Sequence, residues 1–133
     1  MKIIDIQGIG PSYAEKLEKV NIRTTGALLK RGANPEGRKE IETMTGIGSP
    51  LILEWVNFAD LYRIKGVGSQ YSELLEKSGV DTVVELSKRV AENLHVKMLE
   101  INQEKNLVNK MPGIDQIDNW IRQAKQLPRV VSY

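Results

Sequence analysis

The sequence predicts an all-α fold of about eight short helices arranged as two pseudo-repeats. Sliding the chain by 58 positions lays Gly8-Ile9-Gly10 on Gly66-Val67-Gly68, and the match runs on through Tyr13/Tyr71, Leu17/Leu75, Ile22/Val80 and Leu28/Leu86. Apolar residues recur at helical spacing, as in Ala14 and Leu17 or Ile117, Trp120, Ile121 and Ala124, rather than in alternation. One Phe, two Trp and four Tyr leave the core to Ile, Leu, Val and Ala, which suits helices packed through aliphatic stripes.

Each element has a local reason. "KIIDI" near the start and "RVVSY" at the end read as extended and are expected to pair as a small terminal clip. Pro11 behind Gly10 opens a helix over 11–20, since proline is pre-set for the first helical position. A second helix spans 24–31. Asn34-Pro35 opens a third over 35–44 and Ser49-Pro50 a fourth over 49–62. The fifth, 69–78, is stopped by Gly79. Thr82-Val-Val-Glu85 has the form of a capping box for 82–89. Helices over 92–108 and 114–127 complete the set. Trp55 aligns with Trp120 at an offset of 65, so the second repeat holds about seven extra residues between its halves. The repeats are assigned to 1–62 and 63–133, packed as one globular unit, because no Pro/Gly/Ser-rich linker parts them.

A chain of 133 residues can bury a real core. It has no cysteine, which removes disulfides, thiolate catalysis and Cys-type zinc sites. Its apolar runs are too short for a membrane span, and "MKIIDIQGIG" lacks the apolar core of a secretory signal, so a cytoplasmic address and no membrane partner are expected. Net charge is only +2, but residues 1–31 carry six Lys/Arg against three Asp/Glu, whereas 36–62 carry two against five. A basic start and an acidic middle can orient a protein on a polyanion.

The chemistry lies in the turns. Gly8-Ile9-Gly10, Gly46-Ile47-Gly48 and Gly66-Val67-Gly68 each set an apolar plug between two glycines and run straight into a helix. Glycine reaches positive φ without steric penalty and lets the backbone approach another surface. The amides of the new helix start then point outward, at the positive end of its dipole. That is an anion site, and several on one body can hold successive phosphates of a nucleic acid. The binding set is therefore Gly8, Ile9, Gly10 and Ser12; Gly46, Gly48 and Ser49; and Gly66, Val67, Gly68, Ser69 and Gln70. Lys16, Arg63 and Lys65 flank these turns as candidate phosphate contacts. The same turns also serve as plain connectors, and the lysines as solvated surface. Tyr13 and Tyr71 share a helical phase, which favours packing over the turns, and Trp55 and Trp120 lie in apolar stripes as core anchors.

"GIGPSYAEKL", "GIGSPLILEW" and "GVGSQYSELL" resemble helix-hairpin-helix motifs, with Ala14 and Ser72 at the small-residue position and Ile52 departing from it. With "ILEWVNFADLYRIKGVG", "ENLHVKM" and "QAKQLPRVV", nearly the whole chain resembles a bacterial domain-of-unknown-function family built from tandem helix-hairpin-helix units. The motif implies sequence-independent DNA binding through the backbone, with double-stranded DNA as partner. Many DNA-binding versions carry Lys or Arg two residues after the second glycine. Ser12, Pro50 and Gln70 stand there instead. A fourth copy near "MPGIDQIDNW" has Asp115 where the second glycine belongs, so that turn is read as structural. The first hairpin is truncated in front, with only seven residues before Gly8, so the complete units are expected to be the hairpins at 46–48 and 66–68, joined by the segment 49–62.

No P-loop, paired-carboxylate metal signature or Ser/His/Asp set occurs, and His95 has no neighbour of ligand type in sequence. The hairpins lack the lysine of base-excision glycosylases of this motif class. The expectation is a non-enzymatic nucleic-acid-binding module needing no cofactor. The alternative is a protein-interaction or scaffolding module, supported by the low net charge and the acidic 36–62 region.

Overall fold

Side-chain caps decide where several helices of this chain begin. The computed structural model describes residues 1–133. After a short 3-10 turn at Ile3–Asp5 come α1 (Pro11–Glu18), α2 (Thr25–Gly32), α3 (Pro35–Thr45), α4 (Ser49–Leu61), α5 (Ser69–Lys77), α6 (Val83–Ser87), α7 (Ala91–Lys105) and α8 (Ile114–Gln126). The only strand-type pairing is an isolated antiparallel bridge between Lys2 and Thr24. The fold is all-α.

Thr24 Oγ1 accepts from the Ala27 amide at 3.1 Å, Asn34 Oδ1 from Gly37 at 2.8 Å and Thr82 Oγ1 from Glu85 at 3.3 Å. Each satisfies an amide that its helix cannot. The capping box at Thr82 is half built, because the Glu85 carboxylate turns to Arg89 at 3.0 Å. Helix ends come earlier than periodicity suggests where an asparagine takes the left-handed conformation. Asn21 (φ 65) follows α1, and Asn106 (φ 51) ends α7 at Lys105 rather than at 108. Asn tolerates that region better than most residues with a side chain.

The terminal clip does not form. "KIIDI" is mostly the 3-10 turn, and its backbone pairs with the loop before α2: Ile3 N–H donates to Arg23 O and Thr25 N–H to Met1 O, both at 3.0 Å. The tail instead places the Ser132 amide 2.8 Å from Ala33 O. Two such short ribbons bury little against each other. Ile3, Ile6 and Val131 each find a buried site among helices.

The chain divides into two units, Met1–Asp60 with Val130–Tyr133, and Leu61–Arg129, so the tail goes with the first unit rather than with the second repeat. In the first, α2 packs on α3 and α1 on the 3-10 turn, around Leu17, Ile22, Leu28, Ile41, Ile52 and Trp55. In the second, α8 packs on α6 and α7, and α5 on α7, around Leu74, Leu75, Leu86, Met98, Ile117 and Trp120.

Arg38 is a polar member of the first core, only 7% exposed. It donates to Gly32 O (2.9 Å) and Ala33 O (3.1 Å) at the end of α2, and to Ser132 O (2.7 Å) in the tail. One guanidinium thus closes a helix end and ties down the C-terminal segment. Arg38→Met, which keeps the aliphatic stem, is expected to lose about 2 kcal/mol of stability, since hydrogen bonds from charged donors are worth more than neutral ones. Hydrogen exchange should show the Ser132 amide losing its protection.

Candidate nucleic-acid interface

The three Gly-x-Gly turns share a plan and differ in one decisive contact. The middle residues Ile9, Ile47 and Val67 are all buried and anchor each turn in its own core. The leading glycines hold positive φ: Gly8 +91°, Gly46 +75° and Gly66 +98°. A side chain at any of them would be strained, which is why glycine stands there. The trailing glycines Gly10 and Gly68 are extended (φ −85° and −103°) and act as N-caps of α1 and α5.

At the turn 46–48 the chain supplies its own anion. The Ser49 amide donates to Glu42 Oε2 at 2.8 Å, so a carboxylate from α3 caps α4. Gly46, Gly48 and Ser49 therefore stand around an internal negative charge. The other two turns hold no such group. Across the eight helices, only α1 and α5 start with neither a side-chain cap nor an acidic residue in the first turn. The amides of Ser12 and Tyr13, and of Ser69, Gln70 and Tyr71, belong to these open starts.

Both open turns rest on the same aromatic pair. The Tyr13 and Trp55 rings lie 5.1 Å apart at 60°, and Tyr71 and Trp120 lie 5.3 Å apart at 54°. Trp55 and Trp120 are each 1% exposed. A Cβ placed on Gly8 would lie 3.7 Å from Trp55 Nε1, and one on Gly66 would lie 3.0 Å from Trp120 Nε1. Each indole nitrogen thus sits directly behind its positive-φ glycine.

Around the second turn the structure adds residues that motif reading missed. A cleft of about 450 Å³ is lined by Gly66, Gly68, Ser69, Gln70, Tyr71, Asn109 and Lys110. Lys110 and Asn109 come from the insertion peculiar to the second repeat. That loop is held by Asn102, whose side chain bonds both the amide (2.9 Å) and the carbonyl (3.1 Å) of Val108. Tyr71 O–H then donates to Lys110 O at 2.9 Å. The sequence signal for Lys110 was the extra length between the halves of the repeat.

Arg63 and Lys65 line a neighbouring cleft of about 500 Å³ together with Arg122, and no carboxylate lines it. Arg63 donates to Pro128 O at 2.7 Å, and the backbone of Lys65 is clamped by Gln123, which accepts from its amide (2.9 Å) and donates to its carbonyl (3.1 Å). The turn 66–68 is thereby flanked by a tethered guanidinium and by a lysine whose backbone is held. Lys16 is exposed on α1 beyond the first turn, and Lys19 pairs with Glu15 at 3.3 Å. At the fourth copy, Gly113 has an ordinary negative φ (−74°) and Asp115 occupies the first turn of α8.

No group of three or more His, Cys, Asp or Glu side chains is placed to hold a metal ion, and no helix is long and apolar enough to cross a membrane. Neither curated proteins nor solved structures yield a match to this chain. With its two turn-bearing repeats matched almost end to end, over residues 7–127 of 133, the chain belongs to the family described as domain of unknown function (DUF4332).

Proposed function

We propose that the chain is a non-enzymatic module that binds the phosphodiester backbone of duplex DNA without sequence preference, its turns 8–10 and 66–68 acting as helix-hairpin-helix units. One observation carries this reading: α1 and α5 are the two helices whose starts have neither a side-chain cap nor an acidic residue, and each follows a positive-φ glycine turn. Backbone amides at a helix N-terminus suit a phosphate oxygen. Contacts of that kind fix position on the duplex and carry no base information. Lys110, Lys65 and Arg63 supply charge at the second turn, whereas the first has Lys2 and Lys16 six positions from its glycines in sequence. The second turn is accordingly the stronger site. The turn 46–48, with Glu42 on its amide, works as a connector in this reading.

Fluorescence anisotropy with labelled duplex and single-stranded DNA at two salt concentrations tests the proposal. Binding should be indifferent to sequence. It should also weaken with salt at a slope no steeper than about −4 in log–log form, as few lysines and arginines are engaged. Absence of binding at low salt would leave the alternative, a protein-interaction module whose turns are all connectors.

A further inference from the structure

We infer that the indole N–H groups of Trp55 and Trp120 are ligand donors, completing the phosphate sites at the turns 8–10 and 66–68. This rests on the reading of those turns as phosphate sites and adds a side-chain donor to the backbone ones.

The argument starts from hydrogen-bond satisfaction. An indole N–H can only donate, and when buried it normally finds an acceptor. Neither Trp55 nor Trp120 donates to any protein atom, although each side chain is 99% buried. Nor is either nitrogen sealed in. The one enclosed polar side-chain atom without a hydrogen-bond partner is Glu76 Oε2, which has only a longer ion-pair contact with Lys77 at 3.6 Å. The sliver of each tryptophan that meets solvent therefore includes Nε1.

That opening lies behind Gly8 in one unit and Gly66 in the other, where a Cβ would cover Trp55 Nε1 in van der Waals contact at 3.7 Å and press on Trp120 Nε1 at 3.0 Å. Glycine at these positions leaves the N–H uncovered. The same arrangement of glycine, tyrosine and tryptophan occurs in both units, and it accompanies the two turns without an internal anion. The Ser49 amide at the third turn, by contrast, already has Glu42. Amides and an indole form a donor-only set, which selects an oxyanion and rejects a cation. A bond from a nearly buried N–H to a charged oxygen is among the stronger hydrogen bonds available.

The chain has only two tryptophans, so a proton–nitrogen correlation spectrum of the full chain contains two indole peaks. Titration with a short DNA duplex should move both downfield, saturating along the anisotropy curve. A parallel titration with inorganic phosphate separates the ligand sources. Shifts with phosphate alone would retain the indole donors and remove the DNA reading. DNA binding by anisotropy with unmoved indole peaks would overturn the donor role and leave DNA binding standing. Unmoved peaks with both ligands, without DNA binding, would overturn both. As a second readout, Trp120→Phe keeps an aromatic ring against Tyr71 but removes the N–H. It should weaken duplex binding about tenfold, and unchanged affinity in the folded variant would count against the proposal.

Discussion

Trp120→Ala is expected to remove about 3–5 kcal/mol from the stability of the Leu61–Arg129 unit, the range for deleting a buried large aromatic side chain. Trp120 is 1% exposed and belongs to the cluster of Leu74, Leu75, Leu86, Met98 and Ile117. Its removal leaves a cavity that α8 cannot close alone, because the same helix also packs on α6 and α7. The loss should also reach the candidate site. Tyr71 rests on Trp120 at 5.3 Å, and its hydroxyl holds Lys110 O at 2.9 Å. Without the indole, Tyr71 loses its seat and the loop carrying Lys110 loses a tether. Chemical denaturation would give the stability change, and amide exchange over 107–113 would show the loop loosening. A cost below about 1 kcal/mol would mean that Trp120 is not the anchor of this unit. Trp55 is 1% exposed against Tyr13, so Trp55→Ala should act similarly on the first unit.

Much of this fold was legible because its signals are local. Asn34 before Pro35 and Thr82 before Val83 do cap their helices, and all eight expected helices are present, though α1, α6 and α7 end short of the expected bounds. The buried plugs Ile9, Ile47 and Val67 followed from an apolar residue held between glycines. Illegible features depended on partners distant in sequence or on a side chain choosing between partners. "RVVSY" has the composition of a strand, yet the carbonyl and amide of its Ser132 are claimed by Arg38 and Ala33. Glu42 looks like an ordinary solvated helix residue, and only the folded turn brings its carboxylate to Ser49, seven positions on. Motif matching ranked the turns 46–48 and 66–68 as the complete hairpins and the first as truncated, yet it is 46–48 that carries an internal carboxylate. The distinction between them comes from one carboxylate and two tryptophans outside the motif. Lys110 was hidden in an insertion, because repeat alignment discards what the first copy lacks.

Gly68→Asp should abolish the phosphate site of the second turn while leaving the fold as stable as before, or more stable by about 0.3 kcal/mol. Gly68 is extended, with φ −103°, and nothing lies within 4 Å of a Cβ placed there. Gly66 is unsuitable for this test, because its φ of +98° and the 3.0 Å approach to Trp120 would confuse lost binding with a damaged turn. An aspartate at the N-cap accepts from an amide two or three residues on and complements the helix dipole. It would recreate at α5 what Glu42 does at α4. The amides offered to a phosphate would then be taken, and a negative charge would face the backbone. Like-charge juxtaposition costs several kcal/mol, so duplex affinity should fall about a hundredfold at low salt. Gly68→Asn separates the two causes, since it caps without charge and should fall between wild type and Asp. Gly10→Asp has the same open geometry and should have a smaller effect, in keeping with the fewer cations beside the first turn. If Gly68→Asp raises the melting temperature and duplex binding is unchanged, the ligand does not sit at the start of α5.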